Sequence, residues 1–126
     1  KIIAALAKKH QGNIAQKTVL IAGFAFKENC PDTRNTKVID IYTTLTAAGF
    51  QVGVSDPVVD AAMVKNSFNF QLIDDKALAS NYDAIILAAP HHQILATINF
   101  ESYKNAGSFI YDVKGVLSKE LIDGRL

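Results

Sequence analysis

The hydrophobic residues of the chain fall in short runs between polar segments, and several of these runs predict β-strands. Residues 19–22 (VLIA) and 83–89 (DAIILAA) are almost entirely apolar, which is the pattern of a strand buried on both faces. Shorter strands are predicted at residues 50–55, near residues 70–73 and at residues 108–113. Because strands buried on both faces belong to sheets covered by helices, we expect a mostly parallel sheet.

Helical patterns alternate with these strands. After the first loop, apolar residues repeat at the spacing of one helix face, at Val38, Ile41, Tyr42 and Leu45. Asp32 or Asn35 is expected to cap the start of this helix, and Gly49 to end it. A weaker helix is predicted around residues 60–66, a single helical turn over residues 76–80, and further helix before the last strand. The alternation predicts an α/β fold with a doubly wound, mostly parallel, Rossmann-like sheet and helices on both faces.

The first residues have a different character from the rest. Residues 1–16 begin with KIIAALAKKH, which has helical apolar spacing but neither a capping residue nor an initiating methionine. We expect this segment to be the end of a connecting helix and a linker from an upstream domain. Residues 17–126 are then expected to form one domain, because the length of 126 residues and a hydrophobic content of 49% suit a single packed core.

Composition and charge limit the classes of partner. The formal net charge is +1 and 20% of residues are charged, so no global field favours nucleic acid or an anionic membrane. No apolar run approaches the ~18 residues that would span a bilayer. Cys30 is the single cysteine, which excludes an internal disulfide. We therefore expect a cytoplasmic protein with neither a nucleic-acid nor a membrane partner.

The loop after the first predicted strand, residues 23–36 (GFAFKENCPDTRNT), lies where ligands bind in open α/β sheets. It lacks the G-x-G-x-x-G fingerprint and the Walker pattern, so its backbone is not expected to cradle a pyrophosphate. Instead, Lys27 supplies a mobile charge and Arg34 a planar fork for phosphate oxygens beside a helix N-terminus, which predicts an anion site. Phe24 and Phe26 offer an apolar wall for a base or sugar, with at least one of them expected in the core.

Structural interpretations of the same loop stay open. A lysine in a loop is most often a solvated charge, and Asp32 with Arg34 is often a capping pair. Asp32 is better suited to fixing the loop than to binding a ligand, since a carboxylate repels phosphate. Cys30 has no adjacent base or second thiol in the sequence, so we interpret it as a structural or incidental thiol.

Two further sets of polar residues also favour structural roles. His91 and His92 are adjacent and have no third ligand at a recognised metal spacing, so we interpret them as loop or helix-start residues and predict no metal site. Asp56 follows a predicted strand, as a ribose-binding acid does, but it lies further from the first strand than the spacing of about 20 residues in dinucleotide folds. A turn formed with Pro57 explains it better.

At this point the residues resemble a known family. The stretch GFAFKENCPDTRNTKVIDIYTTL is similar to the signature of the C-terminal domain of UDP-glucose/GDP-mannose dehydrogenases, roughly G-x-x-F-K-x-x-x-x-D-x-R-x-[ST]. The variant FKENCPDTRNTKV most resembles the UDP-N-acetylhexosamine 6-dehydrogenases that make uronic acids for polysaccharides. Later segments resemble the same family in the same order: DPVVD (56–60), DAIILAAPHH (83–92) and FIYDVKGVL (109–117).

The resemblance implies a UDP-binding C-terminal domain of an NAD-dependent enzyme that oxidises a UDP-sugar, UDP-GlcNAc or UDP-GalNAc, to the UDP-uronic acid. It implies substrate contacts at Phe26, Lys27 and Lys114, where relatives often have arginine at the last position, and an NAD contact at Arg34. The catalytic cysteine and most of the NAD site would lie in other domains, so no catalytic residue is expected here and the fragment alone would be inactive. The full-length enzyme would be a homodimer.

Two other functions are compatible with an α/β domain. A stand-alone regulatory module of the receiver type would need an acidic cluster at the end of the first strand, where this chain has Gly23 and the Phe-Lys loop. The domain would alternatively serve mainly for assembly, with part of its surface buried against a partner. Neither alternative includes a catalytic role.

Overall fold

A computed structural model describes residues 17–25, 38–68, 70–74, 78–79 and 82–125, and these residues form a five-stranded sheet with helices. The strands are β1 (Thr18–Ala22), β2 (Gln51–Ser55), β3 (Ala84–Leu87), β4 (Phe109–Asp112) and β5 (Gly124–Arg125). Their order across the sheet is β2-β1-β3-β4-β5, and every neighbouring pair is parallel. The predicted parallel α/β sheet is therefore confirmed.

The helices are α1 (Val38–Ala48), α2 (Ala61–Phe68), α3 (His92–Thr97) and α4 (Phe100–Asn105), followed by a 3₁₀ turn, Lys119–Leu121. Helix α1 ends where Gly49 adopts a φ of 109°, as the sequence predicts. The carboxylate of Asp60 accepts hydrogen bonds from the amides of Ala62 and Met63 and so caps α2. The candidate caps Asp32 and Asn35 lie outside the described residues. In the part of the chain that the structure describes, no helix is long and apolar enough to cross a membrane.

Two hydrophobic clusters lie on opposite faces of the sheet. Successive side chains of a strand point to opposite faces, and β1 accordingly gives Val19 and Ile21 to one cluster and Leu20 to the other. Leu45 of α1 and Val64 of α2 complete the first cluster, while Ile94 of α3 and Phe100 of α4 complete the second. Helices therefore cover both faces, which confirms the doubly wound arrangement.

Strand boundaries differ from the predicted ones where polar groups or turns take over. The predicted strand at residues 83–89 contains only four paired residues, Ala84–Leu87. Before it, the carboxylate of Asp83 accepts a hydrogen bond of 2.8 Å from the amide of Thr18. After it, the amides of Ala88 and Ala89 both donate to the carbonyl of Ala22, so the chain turns instead of continuing the ladder.

The strand predicted near residues 70–73 is wrong, because the described residues 70–74 form no strand. Phe70 stacks on Tyr42 with ring centroids 4.4 Å apart, and Leu72 packs against the first cluster. The amide of Ile73 donates to the carbonyl of Val54, at 2.8 Å. The apolar residues of this segment cover the core, and the bond from Ile73 to β2 does not extend into a strand. The helical turn predicted over residues 76–80 lies largely outside the described residues.

Candidate functional site

The strand order defines the edge of the sheet where a ligand is expected. After β1 the chain crosses to β2 on one side and then returns to β3 on the other side of β1. This reversal is a topological switch point, and in open α/β sheets ligands bind beyond the carboxyl ends of the strands at such a point. The residues that leave β1, β2, β3 and β4 at this edge make up the candidate site.

Gly23 packs the exit of β1 tightly against Ala89, which follows β3. Its φ is 93°, a backbone angle that residues with a side chain rarely adopt. A Cβ added at this position would lie 2.6 Å from the Cβ of Ala89 and 2.7 Å from the nitrogen of Ala89. The amide of Gly23 donates to the carbonyl of Ser55 at 2.8 Å. Gly23 therefore serves a close contact within the protein, between the exits of β1 and β3.

Phe24 turns from the edge into the core. Its side chain is fully buried, and its ring makes edge-to-face contacts with Phe68 and Phe70 at centroid distances of 5.0 and 5.3 Å. The prediction that at least one of Phe24 and Phe26 packs into the core is confirmed by Phe24. Phe26 lies outside the described residues.

A buried carboxylate, that of Asp56 at the end of β2, joins the exits of three strands. Its Oδ2 atom accepts hydrogen bonds from the amides of Phe24 (2.6 Å) and Ala25 (3.0 Å) beyond β1. The same oxygen lies 2.9 Å from Nε2 of His91, which follows β3. Since an ionised carboxylate only accepts hydrogen bonds, Nε2 carries the proton and donates it.

The other oxygen of Asp56 forms the turn that the sequence predicts. Oδ1 accepts from the amides of Val58 and Val59, at 2.8 and 3.3 Å, so the carboxylate closes the turn around Pro57. The turn interpretation is confirmed, but the contacts with β1 and His91 were not predicted. Both oxygens are engaged within the protein, which makes Asp56 unsuited to holding a ribose.

The electrostatics of Asp56 favour its charged form. Burial alone raises the pKa of a carboxyl group, but the hydrogen bonds from His91, Phe24 and Val58 and the charge of His91 outweigh it. The pKa of Asp56 is therefore held below its ordinary value. The side chains of Asp56 and His91 are both 0% exposed, so this hydrogen bond lies out of reach of bulk water.

A second buried carboxylate shapes the turn after β4. Asp112 is 0% exposed, and its two oxygens accept hydrogen bonds from the amides of Gly115 (2.9 Å) and Leu117 (2.7 Å). Lys114, which lies between Asp112 and Gly115 in this turn, is exposed at the carboxyl edge of the sheet. Sequence reasoning missed the role of Asp112, although a polar residue that ends an apolar strand directly before a glycine-containing turn is a readable signal.

The predicted site residues fall into two groups. Lys114 is described and lies at the expected edge, whereas Phe26, Lys27 and Arg34 lie outside the described residues. His91 and His92 stand at the start of α3, as predicted, but the buried bond from His91 to Asp56 was not foreseen. Parallel strands bring their carboxyl ends to one edge, and this rule was the available signal for that pair.

Metal ligation has no candidate group in the described ranges. Among residues 17–25, 38–68, 70–74, 78–79 and 82–125, no three histidine, cysteine, aspartate or glutamate side chains are grouped so that they could hold a metal ion. Cys30 lies outside these ranges.

The parallel sheet, its switch point and the polar strand exits define a domain of the Rossmann-like, nucleotide-binding class. Residues 20–119 match the model of the UDP-glucose/GDP-mannose dehydrogenase family, UDP binding domain. The chain belongs to this family, and the resemblance read from its loop and later segments is confirmed.

Two curated relatives with the same name align with most or all of the chain. The chain is 38% identical over 128 residues to UDP-N-acetyl-D-glucosamine 6-dehydrogenase of Salmonella typhi, an alignment that covers 100% of this chain and 30% of that protein. It is 37% identical over 110 residues to the enzyme of the same name from Pseudomonas aeruginosa, covering 86% and 26%. The chain thus spans less than a third of the length of these relatives.

Solved structures with the same fold have lower sequence identity. An NDP-N-acetyl-D-galactosaminuronic acid dehydrogenase from Methanosarcina mazei Go1 superposes with a TM-score of 0.77 at 20% identity, over 98% of this chain and 27% of that one. A UDP-D-ManNAc dehydrogenase from Pyrococcus horikoshii gives a TM-score of 0.73 at 19% identity, over 98% and 28%. At such identities the likeness extends to the fold alone.

Proposed function

We propose that residues 17–126 are the C-terminal UDP-binding domain of an NAD-dependent nucleotide-sugar 6-dehydrogenase, which oxidises UDP-GlcNAc or UDP-GalNAc to the UDP-uronic acid. The observation that carries the proposal is the match of residues 20–119 to the UDP binding domain of the family. The names of the relatives from Salmonella typhi and Pseudomonas aeruginosa support an N-acetylated UDP-sugar as substrate. Residues 1–16 would be the end of the helix and linker that join this domain to the upstream part.

The proposed substrate contacts are Phe26 and Lys27 in the loop after β1 and Lys114 in the turn after β4. Two cations and an aromatic ring suit the phosphates and a flat base or sugar ring of a UDP-sugar. The exposure of Lys114 at the carboxyl edge supports its assignment. The catalytic cysteine would come from the upstream part of the enzyme, which is a cytoplasmic homodimer in this proposal.

The described residues do not fit a resident NAD. Gly23 is not followed by the second and third glycines of a dinucleotide fingerprint, and Asp56, at the position of a ribose-binding acid, is bonded within the protein. In this proposal NAD binds mainly to the upstream part of the full-length enzyme. Arg34 supplies one further contact to NAD in this proposal. It reaches the pyrophosphate across the cleft between the two domains.

The proposal is tested in the full-length enzyme by titration calorimetry with UDP and by steady-state kinetics. Lys27→Ala is expected to raise the KM for the UDP-sugar, because it removes a charge from the phosphates. Lys65→Ala, an exposed lysine on α2, is the matched control and is expected to leave KM unchanged. The proposal fails if the wild-type enzyme binds no UDP and Lys27→Ala turns over substrate as the wild type does.

A further inference from the structure

We propose that Asp56 and His91 form a positioning pair that fixes where the chain leaves β1, and so sets the affinity for UDP. The loop that follows this exit carries the proposed substrate contacts Phe26 and Lys27 and is called the substrate loop below. This inference rests on the proposed function. It assigns a role to two residues that do not themselves contact the substrate. The two side chains are joined by the hydrogen bond between Oδ2 of Asp56 and Nε2 of His91, at 2.9 Å.

The geometry links three chain segments through a single oxygen. Oδ2 of Asp56 accepts from the amides of Phe24 and Ala25, and it also accepts from His91. The first two residues follow β1, Asp56 follows β2 and His91 follows β3, so the pair spans the switch point of the sheet. His91 thus donates to the carboxylate of Asp56, and the same carboxylate accepts from the two amides at the exit of β1.

The pair acts beyond the sheet itself. The last paired residues are Ala22 with Ser55 on one side of β1 and Ala22 with Leu87 on the other. Phe24 and Ala25 lie past this register, so ladder hydrogen bonds do not fix their amides. Loss of the pair is therefore expected to change the path of the chain after Gly23 more than the strands.

The pair also restricts the position at which the substrate loop begins. Lys27 follows Ala25 by two residues. Two residues of fully extended chain span at most about 7 Å, so the position of Ala25 restricts where the backbone of Lys27 can lie. A shift of the β1 exit is thus transmitted to the proposed phosphate contact.

Burial makes each partner depend on the other. Both side chains are 0% exposed, so removal of His91 leaves a buried carboxylate short of one hydrogen-bond donor. A glutamine at position 91 restores an N–H donor without a positive charge. His91→Ala and His91→Gln therefore separate the lost hydrogen bond from the lost ring.

The experiment uses the full-length enzyme with UDP as the calorimetric ligand and hydrogen exchange as a second readout. His91→Ala is expected to raise the Kd for UDP about tenfold, which corresponds to about 1.4 kcal/mol, and to speed exchange in peptides containing Phe24 and Ala25 but not in peptides from β4. His91→Gln is expected to stay within about threefold of the wild-type Kd. Asp56→Asn, which keeps the volume of the side chain, is expected to behave like His91→Ala.

Asp60→Asn is the matched control. The carboxylate of Asp60 also accepts from the amides two and three residues ahead, as Asp56 does, but it is exposed and reaches neither β1 nor His91 in the described contacts. It is expected to leave both the Kd and the exchange at residues 24–25 unchanged.

The outcomes separate this inference from the proposed function. If the wild-type enzyme binds no UDP, the proposed function fails, and the affinity claim falls with it. If UDP binds and both His91→Ala and Asp56→Asn keep the wild-type Kd, the positioning pair is refuted while the proposed function stands. A purely structural role would instead speed exchange equally in β1, β3, β4 and residues 24–25, and would also refute it. Should His91→Ala fail to fold, Asp56→Asn decides between these outcomes.

Discussion

Oδ2 of Asp56 and Nε2 of His91 lie 2.9 Å apart, although the two residues are 35 positions apart in the chain. The bond joins the exit of β2 to the exit of β3 across the exit of β1. The first prediction concerns its contribution to stability. Asp56→Ala is expected to lower the free energy of unfolding by about 3–5 kcal/mol, because it leaves buried donors without their acceptor. Urea unfolding of the chain, followed by circular dichroism, measures this value.

The control for this prediction is Asp60→Ala. Asp60 makes the corresponding capping bonds at an exposed site, and its loss is expected to cost about 0.5–2 kcal/mol. Equal losses for the two variants would contradict a special contribution from the buried pair.

The second prediction concerns pH. The pKa of Asp56 is lower in the folded protein than in the unfolded chain, so its ionised form stabilises the fold. This stabilisation is complete above the ordinary carboxyl pKa of about 3.9 and is lost as the pH falls through the lower folded value. The difference in unfolding free energy between the wild type and Asp56→Asn is therefore expected to be largest above pH ~5 and to shrink below pH ~4.

Urea unfolding of both proteins at a series of pH values measures the difference. Other carboxylates titrate in both proteins, so the subtraction isolates Asp56. A difference that stays constant or grows as the pH falls would contradict the assigned direction of the pKa shift.

The third prediction concerns Gly23. Gly23→Ala is expected to lose stability twice, once from the positive φ and once from overlap with Ala89. Gly49→Ala shares the positive φ but has open space around an added Cβ, so it isolates the first cost, of about 1–3 kcal/mol. The overlap is expected to add about 1–3 kcal/mol for Gly23→Ala. Thermal and urea unfolding of the two variants test this difference, and equal losses would show that the packing at Ala89 relaxes freely.

The fourth prediction concerns Lys114. Lys114→Ala is expected to raise the KM for the UDP-sugar about fivefold, in line with the loss of one partly solvated charge contact. Lys114→Arg is expected to keep or lower KM, because the guanidinium can hold two phosphate oxygens. Lys119→Ala, exposed in the following 3₁₀ turn, serves as the control. Steady-state kinetics of the full-length enzyme measure all three, and an unchanged KM for Lys114→Ala would remove this residue from the substrate site.

The sequence alone predicts the parts of the fold that depend on local hydrophobic pattern. Strands β1 and β3 are readable because almost every residue of each strand is buried, so both faces of the strand carry apolar side chains. The segment near residues 70–73 has a similar apolar content, but it forms no strand, and the ring of Phe70 stacks on that of Tyr42. Local pattern does not distinguish an apolar segment that pairs from one that packs over the core.

The polar centre of the edge depends on contacts between distant residues. Asp56 was correctly interpreted as a turn residue because its turn partners follow within three positions. Its partners Phe24 and His91 lie more than 30 positions away, and no spacing rule points to them. The family resemblance identified residues of the loop instead, since motif matching follows short segments and not the residues that support them.

The place of β1 between β2 and β3 also has a consequence for how the chain folds. Thr18 and Asp83, which are bonded at the start of β1 and β3, are 65 positions apart, so the centre of the sheet closes a long loop at a large entropic cost. During synthesis β2 leaves the ribosome well before β3. Until then β1 has one unpaired edge, with its backbone groups open to other chains. A nascent chain that stalls between these two strands therefore presents an unpaired edge of β1 to which another chain can pair.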